Sequence, residues 1–105
     1  MKTTPSKKQL RLLQNAPKRI IKLVANANYT TFYLSNGKSV LMSYSLKRYQ
    51  DYLSYPFIRV NKSCIANMFF LENLCPVSKK IKLEDGSEIR ISRRRYNTVC
   101  KNISL

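Results

Sequence analysis

The sequence predicts a mainly β fold: antiparallel β-sheets with one central and one C-terminal short helix. Three observations carry that prediction. Asn36-Gly37 and Asp85-Gly86 are two-residue hairpin signals, each between β-forming runs. RIIKLVA at 19–25 and YTTFYLS at 29–35 are rich in β-branched and aromatic residues and contain no breaker. Two stretches, SLKRYQDYLS at 45–54 and the segment after Ser92, change to apolar spacings of three and four.

Taken in order, residues 1–8 read as a basic flexible tail or linker remnant, and 9–105 as one domain. KQLRLLQN suits an edge strand through Leu10 and Leu12, although Leu10 with Leu13 also suits a helical turn. RIIKLVA and YTTFYLS then form strands joined by a tight connection at Asn26 to Asn28, and KSVLMSY at 38–44 returns after Asn36-Gly37. In SLKRYQDYLS, Leu46, Tyr49 and Leu53 share one helical face, with Ser45 or Ser43 as the cap. Pro56 separates this helix from FIRVNKSCIAN at 57–67, which reads as short buried pieces around a polar turn at Asn61 to Ser63. FFLENL at 69–74 alternates too weakly to set its faces, and Pro76 interrupts any longer strand. Val77, Ile81 and Leu83 are expected to share one sheet face, with Lys80, Lys82 and Glu84 opposite. Ile89 and Ile91 alternate with Arg90, and Tyr96, Val99 and Ile103 make the apolar face of the last helix. Two packed sheets with a helix at the side is the economical arrangement.

A hydrophobic content of 44% argues against wholesale disorder. The formal charge of +15 comes from 20 Lys and Arg against 5 Asp and Glu. Such an excess is self-repelling unless a polyanion offsets it, so nucleic acid is the leading partner. An anionic membrane surface and simple basic solubility are weaker readings.

Several classes are excluded or disfavoured. Histidine is absent, and both glycines occupy predicted hairpin turns, so no phosphate-cradling loop exists. Ser63 beside Lys62 lacks the partners of an acyl-transfer site, so no enzyme is expected. Cys64, Cys75 and Cys100 are widely spaced, so neither a metal nor a cofactor is expected. An odd cysteine count and the lack of a leader-like N-terminus suggest a reduced cytoplasmic setting. No segment has the apolar length needed to cross a bilayer, so no membrane partner is expected, nor any small-molecule substrate.

The basic residues remain. Lys62 lies in a polar turn, and Arg93, Arg94 and Arg95 follow Ser92 where a strand hands over to a helix. A helix N-terminus favours anions, so three cations there cost stability unless a phosphate lies opposite. Arginine pairs bidentately with guanine in a major groove, whereas lysine and serine often meet phosphate. Tyr29 lies at a loop edge, where it could touch sugar, phosphate or base. Tyr49 and Tyr96 are expected to pack their rings in the core, with hydroxyls near the surface.

IIKLVANANYTTFYLSNGK, SLKRYQDYL, FIRVNKSCIAN and IKLEDGSEIRISRRRY stand in the order found in a known family. Over roughly residues 18 to 97 the chain resembles the LytTR DNA-binding domain, the output module of bacterial response regulators of the LytR/AgrA type. The pair FIRVNKSCIAN and ISRRRY is the more specific part. The resemblance implies a transcriptional regulator whose loops, rather than a recognition helix, enter successive major grooves of duplex DNA. It also implies paired DNA repeats, with a dimer formed on the DNA. The first contacting loop matches Asn28 and Tyr29, the second Asn61, Lys62 and Ser63, and the third Arg93 and Arg94 after Ser92. Lys62 and Arg94 are expected at base edges or nearby phosphates, and Arg93 and Ser63 on the backbone. Arg59 is expected to do either, or to brace the loop. The family usually has histidine where this chain has Asn61, and acidic residues before the first loop that are missing here. Both departures bear on target preference rather than fold. The chain is expected to be a stand-alone regulator or a domain excised from a larger protein; residues 2–17 are too few to sense phosphorylation. The other readings are a module for single-stranded nucleic acid or RNA, and a module for an acidic protein partner.

Overall fold

A computed structural model describes residues 16–103. The expected tail at 1–8 and the stretch KQLRLLQN lie outside the described residues. A short helix α1 (Ala16–Arg19) leads into β1 (Ile20–Asn26), β2 (Tyr29–Leu34) and β3 (Ser39–Met42). Then follow α2 (Leu46–Gln50), β4 (Phe57–Asn61), β5 (Cys64–Asn67) and a 3₁₀ turn at Met68–Phe70. After these come β6 (Leu71–Cys75), β7 (Lys80–Leu83), β8 (Glu88–Arg90), a second 3₁₀ turn at Arg93–Arg95 and α3 (Tyr96–Asn102). The strands form a five-stranded sheet in the order β3-β2-β1-β5-β4 and a three-stranded sheet in the order β6-β7-β8. Every neighbouring pair is antiparallel. The mainly β prediction with short helices is therefore met.

Both glycines do what the hairpins need. Gly37 and Gly86 have φ of +89° and +88°, which side chains with a Cβ resist. Asn36 Oδ1 and Asp85 Oδ1 each accept a backbone N–H two residues on, at 2.9 Å, which shapes the turns before the returning strands.

The central strand β1 serves two cores. A register irregularity between Ile20 and Lys22 breaks its alternation. Ile20 and Leu23 thus join Phe32, Met42, Phe57 and Ile65 beneath Leu46 and Tyr49 of α2. Ile21 joins Val60, Ala66, Ile81, Leu83, Ile91 and Val99 in a second core that ties the three-stranded sheet and α3 to β4 and β5. Val99 is fully buried, and burying a side chain of this kind contributes about 1.5–3 kcal/mol, enough to seat a short helix.

Three expectations change in detail, those for Val77, Ser45 and Tyr49, while the expected break at Pro76 is met. Val77 is 92% exposed and belongs to the β6–β7 turn, so only Ile81 and Leu83 face the core. β6 ends at Cys75, one residue before Pro76, which cannot donate to a ladder. Ser45 is the N-cap of α2, but its side chain caps nothing; its carbonyl accepts the N–H groups of Arg48 and Tyr49. Tyr49 is wholly buried rather than reaching the surface, because its hydroxyl donates to the carbonyl of Ser43.

Candidate nucleic-acid interface

Three chain connections meet at one end of the five-stranded sheet. The first joins β1 to β2 through Ala27 and Asn28, with Asn26 paired to Tyr29. Ala27 has φ of +56°, a positive value of the kind tight hairpin turns require and a residue with a Cβ resists. Asn28 and Tyr29 are exposed there.

The second connection, Asn61 to Ser63, joins β4 to β5. Asn61 Oδ1 accepts the Ser63 N–H at 2.7 Å, a local bond that competes with strand geometry and makes the turn. The third runs from β8 through Ser92, which is extended at φ −66° and ψ 151°, into the 3₁₀ turn Arg93–Arg95 and then α3.

Two backbone bonds and one side-chain bond tie the three together. Ala25 N–H donates to Ser63 O at 2.8 Å, which joins the first connection to the second. Ser92 N–H donates to Val60 O at 2.9 Å, and Asn61 Nδ2 to Arg90 O at 2.6 Å, which join the second to the third. An open concavity of about 550 Å³ lies between the last two, lined by Asn61, Lys62, Ser63, Arg90, Ser92, Arg93, Arg94 and Arg95. None of the five acidic residues lines it. Asn28 and Tyr29 stand beside this concavity rather than in it.

The cations differ in what already engages them. Lys62, Arg93 and Arg94 are exposed and make no ion pair or side-chain hydrogen bond among the described residues. The ion pairs found there, Lys22–Asp85 at 3.5 Å and Lys82–Glu72 at 3.4 Å, leave the concavity uncompensated. Arg59 is half-buried and already occupied: it donates to Asn61 O, Lys62 O and Gln50 Oε1. Burial, and next the charge of Arg95, hold its pKa below the usual arginine value, yet the group stays a cation. Ser92 Oγ is buried, lacks a partner among the described residues and caps no helix amide. Ser92 therefore contributes through its backbone, which pins the third connection to β4.

Sequence reasoning missed two participants. Gln50 holds Arg59 from α2, and nothing in its sequence context marks it. Arg90 enters through its carbonyl, a group that every residue carries. Arg95 is half-buried and lines the concavity together with a second groove beside Arg59. Tyr96 packs against the second core, with Lys79 Nζ 5.2 Å from its ring centroid, and so aims the arginines before it.

Among the described residues, no group of His, Cys, Asp and Glu could hold a metal ion, and no helix is long and apolar enough to cross a membrane. No curated protein sequence matches the chain. Among solved structures, a LytTr DNA-binding domain from Bacillus cereus is similar, with a TM-score of 0.75 at 19% identity. The likeness covers 85% of this chain and 84% of that one, and at such identity it shows the fold alone. The sequence pattern of the LytTr DNA-binding domain family matches residues 11–104, almost the whole chain. The chain therefore belongs to the LytTR DNA-binding domain family, a non-catalytic, DNA-binding family of bacterial transcription regulation.

Proposed function

We propose that this domain binds duplex DNA sequence-specifically as a transcriptional regulator, its three connections entering successive major grooves on one face of the helix. The observation that carries this reading is that Lys62, Arg93 and Arg94, unengaged among the described residues, project from connections that hydrogen bonds hold together. Lys62 and Arg94 take base edges or adjacent phosphates, while Ser63 and Arg93 hold the backbone. Asn28 and Tyr29 form the first contact. Paired repeats, each taken by one copy, suit a protein that meets its second copy on the DNA.

Selection of bound duplexes from a random pool tests this. A shared motif recurring at a spacing of about 10–10.5 base pairs or a multiple is expected. A pool that stays random would refute base reading. Single strands or RNA that displace the selected duplex equally well at the same salt would replace this reading with the single-strand one.

A further inference from the structure

We propose that Arg59 and Gln50 are positioning residues that hold the connection 61–63 in its reading conformation, and that Arg59 makes no contact with DNA. This rests on the reading of 61–63 as a DNA-contacting connection.

The strand places Arg59 for the task. Within β4, Phe57 joins the core under α2, while Ile58 and Val60 join the other core. Arg59 shares the face of Phe57, so its side chain meets α2 at Gln50, the last residue of that helix. All three guanidinium nitrogens are in use. Nε donates to Asn61 O at 2.9 Å, Nη2 to Lys62 O at 2.6 Å and Nη1 to Gln50 Oε1 at 2.7 Å.

The guanidinium fork is planar and rigid, so these bonds fix two consecutive carbonyls relative to a helix side chain. Both carbonyls lie in the connection that carries Lys62. On its other side the same connection is held by Asn61, whose amide bridges Ser63 N–H and Arg90 O. The chain at 61–63 is thus clamped from α2 and from β8 before any DNA arrives. Preorganisation of this kind lowers the ordering cost of binding.

A phosphate contact would require Arg59 to leave these acceptors. Phosphate and carbonyl oxygens compete for the same N–H groups, and departure would strip two carbonyls of a charge-assisted partner. Arg59 therefore acts on DNA through Lys62 and Ser63 and not as one of the cations that release counterions.

Salt dependence separates the two roles. Arg59→Met and Gln50→Ala are titrated against the selected duplex and a random duplex over a range of salt. For Arg59→Met, affinity for the selected duplex should fall about tenfold, with affinity for the random duplex unchanged. The slope of log K against log salt should match the wild type on both duplexes. A slope shallower by about 0.9 on both would show a lost phosphate contact and overturn the proposal. An unchanged ratio between duplexes would reduce Arg59 to general support, because destabilisation lowers the active fraction equally for both.

Gln50 is exposed, so Gln50→Ala carries the test even where Arg59→Met does not fold. It should lower the ratio about threefold without changing the slope, and an unchanged ratio overturns the proposal. In free Gln50→Ala protein, amide exchange at Lys62 and Ser63 should quicken relative to Thr30; wild-type exchange there also overturns it. A wild type that prefers no duplex sinks the DNA-reading function itself, an outcome distinct from variants that keep a real preference intact.

Discussion

Arg94→Ala should stabilise the folded domain while weakening its grip on DNA. Arg94 is the second residue of the 3₁₀ turn that runs into α3, and no acidic residue occupies the first turn of either element. Its side chain is exposed and makes no hydrogen bond or ion pair among the described residues, so truncation breaks no such contact. Two repulsions disappear. A cation at a helix N-terminus opposes the peptide dipoles by about 0.3 kcal/mol at an exposed site. Arg93 and Arg95 flank it, and charges about 8 Å apart in water repel by about 0.5 kcal/mol before screening by salt. The sum after screening is about 0.5 kcal/mol, or a rise of about 2–4 °C in Tm. That gain should shrink between 0.01 M and 1 M salt, as the Debye length falls from about 30 to about 3 Å. On the selected duplex the same change should cost about 1–3 kcal/mol and blur preference at one base pair. Thermal unfolding at several salt concentrations and anisotropy titrations on selected and random duplexes read both effects. A loss of stability would show that Arg94 supports the fold. Equal affinity losses on both duplexes would refute base reading.

Other positions test the frame around the site. Asn67 is fully buried, donates to Ile20 O at 2.7 Å and accepts the Phe69 N–H at 2.9 Å. Asn67→Ala strands both backbone groups and should cost about 3 kcal/mol, seen as a lower urea midpoint at unchanged slope; a loss under about 1 kcal/mol would contradict it. Ala27→Gly should add about 0.5–1 kcal/mol in the same assay, since Ala27 holds a positive φ that glycine adopts without a Cβ clash; destabilisation would argue against the turn geometry. Burial pushes the Cys64 thiol up to about 12. The folded chain keeps that proton while the unfolded chain releases it from about pH 8.5, so this group lowers stability as pH rises towards 12 and is neutral below that window. Hydrogen bonds from Ser78 instead hold the Cys75 thiol below its ordinary value. Mass spectrometry at pH 8 should therefore find Cys75 alkylated first and Cys64 last; early loss of Cys64 would show an open second core.

Local chemistry made much of the fold legible. Asn36-Gly37 and Asp85-Gly86 announce hairpins because positive φ at glycine is a property of the residue itself. Leu46 with Tyr49, and Tyr96 with Val99, announce helices because their spacing repeats within one or two turns. Val77 misled because alternation says which residues could share a face, not where the strand begins. Tyr49 misled because its hydroxyl partner is the carbonyl of Ser43 in the connection before the helix, outside the helical pattern.

By itself the sequence determined the mainly β class, the hairpins, the two helical faces and the clustering of cations at 62 and 93–95. These depend on dihedral preference, periodicity and charge, which act over a few residues. Tertiary structure alone decided that Arg59 faces carbonyls and Gln50, that Asn61 bridges to Arg90, and that Ser63, Val60 and Ser92 pin three connections to one end. Those bonds span up to 38 residues, counted from Ala25 to Ser63, and 32 from Val60 to Ser92. Their partners are mostly backbone carbonyls, which every residue carries alike, so residue identity cannot single them out until strand pairing brings the segments together.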